Sequence, residues 1–132
     1  MLLMMATVDD KPHELTAIAL QRAKMCEMLG KALGERYLES YFLVGLFSVL
    51  DAIMDIPMLQ VVESLPLTPE VGEALVNRNG KLGMVLTGVI ATEGGDWDYI
   101  LRFGIRPDVW RNIYFESVKC TNVIMNELNA GK

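Results

Sequence analysis

Residues 45–51 read Gly-Leu-Phe-Ser-Val-Leu-Asp and close the most apolar stretch of this 132-residue chain. The stretch covers residues 41–50, with Ser48 as its polar interruption and Asp51 directly after it. Because it is apolar on nearly every side, it predicts a helix over residues 35–54 that is the central, most buried element of a bundle. A serine in such a helix most often donates to the carbonyl oxygen four residues earlier. The run is shorter than the roughly 20 residues that a membrane span needs.

Helical spacing of apolar residues extends over almost the whole chain. An amphipathic helix is expected over residues 13–33, with Gly34 as its stop. Thr68 and Pro69 are typical of a helix start, as N-cap and first helical residue. Further helices are expected over residues 57–64, 69–77, 82–93, 97–101 and 107–128. The buried stripe of the last helix is predicted to comprise Trp110, Ile113, Tyr114, Thr121, Ile124 and Leu128. The pattern therefore predicts one all-α domain over residues 1–132, a helical bundle of about six or seven helices.

Composition excludes several classes of function. The net charge is −5 and the sequence has no basic stripe, so nucleic acid is not expected as a partner and anionic membranes are disfavoured. The apolar N-terminus is short and has no basic leader, which makes it a poor signal peptide and favours a cytoplasmic location. The hydrophobic share of 52% is above the usual value and suggests surface that is buried against a partner or against further parts of a longer protein.

The inventory of reactive side chains is small. Cys26 and Cys120 lie in apolar helical patterns and are interpreted as reduced thiols of the core. His13 is the one histidine of the chain and has no further ligands at metal-binding spacing. Ser48 lies within a helix and has no histidine base near it in sequence. We therefore predict no catalytic, metal-binding or cofactor-binding residue.

Two short segments spell fragments of enzyme signatures. Gly94-Gly95-Asp96 shares three residues with the Gly-Gly-Asp-Glu-Phe signature of diguanylate cyclases, but Trp97 and Asp98 follow. A helix stop at the glycines, with Asp96 as N-cap of the next turn, explains all three residues. Glu73-Ala74-Leu75 spells Glu-Ala-Leu without the surrounding carboxylates of the phosphodiesterases that carry this motif, and we interpret it as chance.

Four segments together resemble the HDOD domain, a catalytically degenerate relative of HD phosphohydrolases. They are residues 22–27 (Arg-Ala-Lys-Met-Cys-Glu), residues 42–52, residues 65–71 (Leu-Pro-Leu-Thr-Pro-Glu-Val) and residues 95–97 (Gly-Asp-Trp). The stretch at 45–51 is similar to the Gly-Leu-Leu-His-Asp-Ile-Gly segment of HD enzymes, with Ser48 and Val49 in place of the metal-binding His-Asp pair. Serine is a poor ligand of divalent metals and valine offers no lone pair.

The resemblance is to the HDOD domains that are joined to EAL domains in bacterial cyclic-di-GMP signalling proteins. It implies a non-enzymatic signal-transduction module that acts through protein–protein contacts, its partner being another protein or a neighbouring EAL-type domain of the same polypeptide. HDOD domains are longer, so we expect a truncated domain, the C-terminal fragment of a larger protein. The alternatives are a small-molecule-binding regulatory bundle, with its pocket at the ancestral metal site, and a residual metal-dependent phosphohydrolase.

Two further expectations concern contacts. Arg22 and Asp51 are polar groups among apolar neighbours, and we predict that they form an ion pair across the first two helices. The alternative is that Asp51 lies at a solvated helix end. Residues 1–5 and apolar residues of the first helix are expected to form an exposed patch through which the isolated chain self-associates, giving a possible homodimer.

Overall fold

The computed structural model describes the backbone of residues 2–130 and the side chains of residues 14–129. This part of the chain forms eight helices and no strand. The helices are α1 (Leu2–Ala32), α2 (Leu38–Phe47), α3 (Leu50–Met54), α4 (Met58–Ser64), α5 (Pro69–Asn77), α6 (Gly80–Glu93), α7 (Asp98–Leu101) and α8 (Pro107–Ala130). The all-α prediction is confirmed. The helix expected over residues 35–54 is instead two helices, which are separated by Ser48 and Val49.

The core lies where α1, α2, α5, α6 and α8 meet. It is made of aliphatic side chains around Trp110, the largest side chain that is fully buried. The other fully buried large side chains are Met25, Leu29, Leu86, Ile100, Val44, Val61, Val71, Val85 and Val89. Burial of this apolar surface is the main force that holds the helices together.

The prediction that residues 41–50 lie in one central, most buried helix is confirmed only in part: half of these residues are buried, but they are divided between α2 and α3. Helix α2 buries Tyr41, Val44 and Gly45, whereas α6 buries six residues and packs against α1, α2, α5 and α7. Phe47 and the other apolar residues of α2 are only half-buried, since one side of the helix lies at the surface of the bundle. The apolar pattern therefore located a buried stretch of chain and missed the break within it.

Several local predictions are confirmed by the backbone. Thr68 is the N-cap of α5 and its hydroxyl accepts from the Val71 N–H at 3.4 Å, with Pro69 at the first helical position. Helix α6 ends at the predicted glycines: Gly95 has a φ of 92°, and the Asp96 N–H donates to the Ala91 carbonyl at 2.9 Å. A positive φ of this size suits glycine, which has no Cβ to clash.

Other expectations need correction. Asp96 is not an N-cap, because α7 begins at Asp98 and its N-cap position is Trp97. In α8, Leu128 is exposed while Ser117 and Met125 join the buried stripe. The ring of Trp97 packs edge-on against the ring of Trp110, with centroids 6.3 Å apart. This contact holds the loop before α7 against the core.

Within the described residues, no single helix is both long and apolar enough to cross a bilayer. The segments Leu38–Met54 and Met58–Ser64, bent by 112° relative to each other, meet the length and composition criteria only as a pair.

Candidate functional site

The close approach of α1 and α2 is set by Gly45. A Cβ at this position would lie 2.5 Å from the carbonyl oxygen of Arg22 and 2.7 Å from the Cα of Ala23. Glycine therefore lets the two backbones touch, where any side chain would force them apart. The contact brings the end of α2 beside the Arg22 side chain.

Ser48 follows the last residue of α2 and is buried, with 6% of its surface exposed. Its hydroxyl donates to the Gly45 carbonyl at 2.7 Å and accepts from Arg22 Nη1 at 3.1 Å. This carbonyl belongs to the residue three positions earlier, whereas the prediction was four. The difference arises because the end of α2 is wound more tightly, as in a 3₁₀ turn, so that the Ser48 N–H also donates to the Gly45 carbonyl. Both hydrogen-bonding roles of the hydroxyl are thus filled by protein.

The guanidinium of Arg22 binds Glu93, the last residue of α6, in a two-pronged ion pair. Arg22 Nε lies 2.7 Å from Glu93 Oε2, and Arg22 Nη2 lies 2.8 Å from Glu93 Oε1. The Arg22 side chain is 16% exposed and that of Glu93 is 35% exposed. Charge-assisted pairs of this geometry are both stronger and more directional than single ones.

A positive charge is favoured at this point for a second reason. The C-terminal end of a helix carries partial negative charge, and the Glu93 carboxylate adds a full one. Arg22 neutralises both and uses all three guanidinium nitrogens to join α1, the α2–α3 break and the end of α6. We call Arg22, Ser48 and Glu93 the arginine cluster.

The arginine cluster contradicts the predicted pair of Arg22 with Asp51. The partners of Arg22 are Glu93 and Ser48, while the Asp51 carboxylate accepts from the Ala52 N–H at 2.9 Å. The pKa of the Arg78 guanidinium is lowered, and the Asp51 carboxylate only partly offsets that shift. Burial of the Arg78 guanidinium is the larger influence on that pKa and lowers it, as does the neighbouring charge of Arg22.

Cys26 lies in the core beside the arginine cluster. Burial raises the pKa of its thiol to about 12, although the nearby Arg22 acts in the opposite direction. A thiol held neutral in this way is a poor nucleophile. Cys120 is half-buried on α8, and both cysteines are free.

The remaining positions singled out from the sequence are ordinary parts of the fold. Val49, which the resemblance aligns with the second residue of a metal-binding pair, is a core residue that is 4% exposed. Glu73 accepts hydrogen bonds from the side-chain amides of Asn77 and Asn79, at 3.0 and 2.9 Å, and so closes the end of α5. These bonds lower the pKa of its carboxyl. The side chain of His13 lies outside the described residues.

The described side chains contain no group of three or more His, Cys, Asp or Glu residues arranged to hold a metal ion. Sequence reasoning selected Arg22 and Ser48 but missed Glu93, which is 71 residues from Arg22 along the chain. The signal available for Glu93 was its place directly before the helix-stopping glycines, where an unpaired carboxylate would be unfavourable.

Comparison with known proteins found two relatives. The chain is 34% identical to the Bacillus subtilis (strain 168) protein YuxH, which is described as uncharacterized, over 96 residues that make up 73% of this chain and 24% of YuxH. It is 42% identical to the Vibrio cholerae cyclic di-GMP phosphodiesterase CdgJ over 88 residues, or 66% of this chain and 20% of CdgJ. No protein-family model and no solved structure matches the chain. The similarity therefore covers about a fifth to a quarter of each of these relatives.

Proposed function

We propose that this chain is an HDOD-type signal-transduction module of a regulatory protein related to cyclic di-GMP, that it has no catalytic activity, and that it acts through protein–protein contacts. The observation that carries the proposal is the arginine cluster. It lies where the resemblance puts the metal-binding pair, and Ser48 and Val49 there lack the imidazole and carboxylate that a divalent ion requires.

The chemistry of the arginine cluster supports a non-catalytic role. A phosphohydrolase of the HD type needs a cation that can bind and activate water. The cation at this position is a guanidinium, which has no open coordination site and does not give up its proton. Its three nitrogens are already bound to Glu93 and Ser48. The cluster thus holds three helices together where an enzyme would hold its metal.

The similarity to CdgJ supports the link to cyclic di-GMP, because that protein is named as a phosphodiesterase of this nucleotide. The matched segment is only 20% of CdgJ, which leaves ample chain for a separate catalytic domain. We therefore propose a neighbouring EAL-type domain as the partner of the module.

The experiment exchanges the matched segment of CdgJ for this chain. Cyclic di-GMP hydrolysis is measured for intact CdgJ, for CdgJ without the segment, for the exchanged protein and for this chain alone. We expect deletion to change the rate, the exchanged protein to return toward the intact rate, and this chain alone to show no turnover. Turnover by this chain alone that disappears in Glu93→Gln would overturn the non-catalytic assignment. A deletion without any effect on rate would overturn the regulatory one.

A further inference from the structure

A cavity of about 550 Å³ opens near the first half of α6, away from the arginine cluster. Six residues line it: Leu33 directly after α1, Lys81 and Met84 of α6, Tyr99 of α7, and Arg102 and Phe103 directly after α7. Its volume is in the usual range for sites that bind small molecules. Lys81 and Glu93 stand roughly 18 Å apart along the helix axis, so the cavity and the cluster are separate features.

The aromatic wall of the cavity depends on Gly88. A Cβ at Gly88 would lie 2.9 Å from Ile100 Cδ1 and 3.0 Å from Phe103 Cε2, so its absence allows this segment to lie directly on α6. Ile100 is fully buried and anchors α7. Tyr99 and Phe103 then stand beside each other, with their rings edge-on and their centroids 5.6 Å apart. The wall offers planar apolar surface that is only half-buried.

The charged groups of the cavity are both cations. Lys81 Nζ lies 2.7 Å from Glu35 Oε1; the lysine side chain is 61% exposed and that of Glu35 is 25% exposed. An ammonium has three N–H donors, so Lys81 can bind a ligand while it keeps this contact. The Arg102 guanidinium lies over the Tyr99 ring at 5.9 Å from its centroid and has no ion pair among the described residues. The lining contains no carboxylate, although the chain as a whole carries a net charge of −5.

We propose that this cavity binds a nucleotide-sized anion that carries a planar ring, of the class of purine nucleoside monophosphates. The base stacks on the face of one of the two rings, since aromatic side chains stack with any nucleobase. It meets the other ring at an edge, because the planes of Tyr99 and Phe103 stand at 81° to each other. The phosphate pairs with Lys81 and Arg102, for which arginine provides two parallel donors. The inference rests on the cavity alone and stands or falls independently of the proposed signalling role.

The test is isothermal titration of GMP into the purified chain at low salt, with guanosine and inorganic phosphate as partial ligands. We expect saturable GMP binding, with guanosine and phosphate each weaker by about tenfold or more, because each lacks one half of the contacts. Arg102→Gln and Tyr99→Leu should each weaken GMP binding by about tenfold. The matched control is Arg111→Gln, an exposed arginine of α8 that does not line the cavity; it should leave the affinity unchanged.

Absence of saturable heat up to about 1 mM GMP, with the native circular dichroism spectrum retained, would overturn the proposal. So would GMP affinity that is unchanged in both Arg102→Gln and Tyr99→Leu. Phosphate binding as tight as GMP binding would remove the role of the aromatic wall and contradict the proposed ligand class. Arg102 is exposed, so its replacement tests binding without disturbing the core.

Discussion

The two ends of α6 carry ion pairs of different construction. At the end of the helix, Glu93 is held by two nitrogens of a largely buried arginine whose third nitrogen binds Ser48. Near its start, Lys81 meets Glu35 through one contact and remains 61% exposed. The first arrangement satisfies its groups within the protein and ties helices together. The second uses one contact of an exposed ammonium, which leaves its other N–H groups to water or to a ligand.

The first prediction concerns Gly45, where α1 and α2 make the close contact that positions the arginine cluster. We expect Gly45→Ala to lower the free energy of unfolding by about 3 kcal/mol or more. The new Cβ would clash with the backbone of Arg22, which cannot move aside as a flexible side chain could. Alanine is otherwise the better helix former by about 1 kcal/mol, so any loss must come from the clash. Urea denaturation monitored by circular dichroism gives the difference.

The matched control is Gly94→Ala at the end of α6, where the nearest atom to a new Cβ is the Ala91 carbonyl oxygen at 3.5 Å. Its effect should stay below about 1 kcal/mol. Equal effects of the two substitutions would show that α1 and α2 do not approach each other as closely at Gly45 as described.

The second prediction compares the two cations directly. We expect Arg22→Met to cost about 2 kcal/mol, since it leaves Glu93 without its partner and removes the donor to Ser48. Lys81→Met should cost less than about 1 kcal/mol, because the pair has one contact and its lysine is mostly exposed. Chemical denaturation of both variants under the same conditions provides the comparison. A larger loss of unfolding free energy for Lys81→Met than for Arg22→Met would contradict the view that the ion pair at the end of α6 is the stronger one.

The third prediction uses the thiol beside the arginine cluster. Burial raises the pKa of Cys26 to about 12 from its ordinary value of 9.0. Because the folded-state pKa is the higher one, the stability due to the neutral buried thiol is complete below pH 9 and is lost as the pH rises from 9 to 12. At pH 10 the loss should be about 1 kcal/mol.

The measurement is the unfolding free energy at pH 8 and pH 10 for the wild type and for Cys26→Ala, which lacks the titrating thiol. Cys26→Ala should be less stable at pH 8 and show a flatter decline. Cys120→Ala keeps the buried thiol and should keep the decline of the wild type. The same slope in all three proteins would mean that Cys26 is not buried as a neutral thiol.

The starts and stops of helices could be predicted from sequence, because they depend on residues that are adjacent in the chain. Thr68-Pro69 starts α5 and Gly94-Gly95 stops α6, and both depend only on neighbouring backbone groups. The break of the second predicted helix at Ser48 was missed, since the apolar pattern continues through it. Periodicity reports which side chains are apolar and does not report where a helix changes direction.

The partner of Arg22 could not be chosen from sequence for a different reason. Asp51 and Glu93 are both carboxylates near helix ends, and only the packing of α6 against α1 selects Glu93. The resemblance of residues 42–52 to a degenerate metal site did indicate that Ser48 is a notable position, and Ser48 belongs to the arginine cluster. Long-range choices of this kind depend on the assembled core. The self-association expected from residues 1–5 stays a prediction, because their side chains lie outside the described residues.

The most direct test of the central claim, that Arg22 is a structural cation that ties three helices together, is a pair of double-mutant cycles. One combines Arg22→Met with Glu93→Gln, and the other combines Lys81→Met with Glu35→Gln. The account predicts a coupling free energy of about 2 kcal/mol in the first cycle and less than about 1 kcal/mol in the second. A coupling of less than about 0.5 kcal/mol between Arg22 and Glu93 would contradict it.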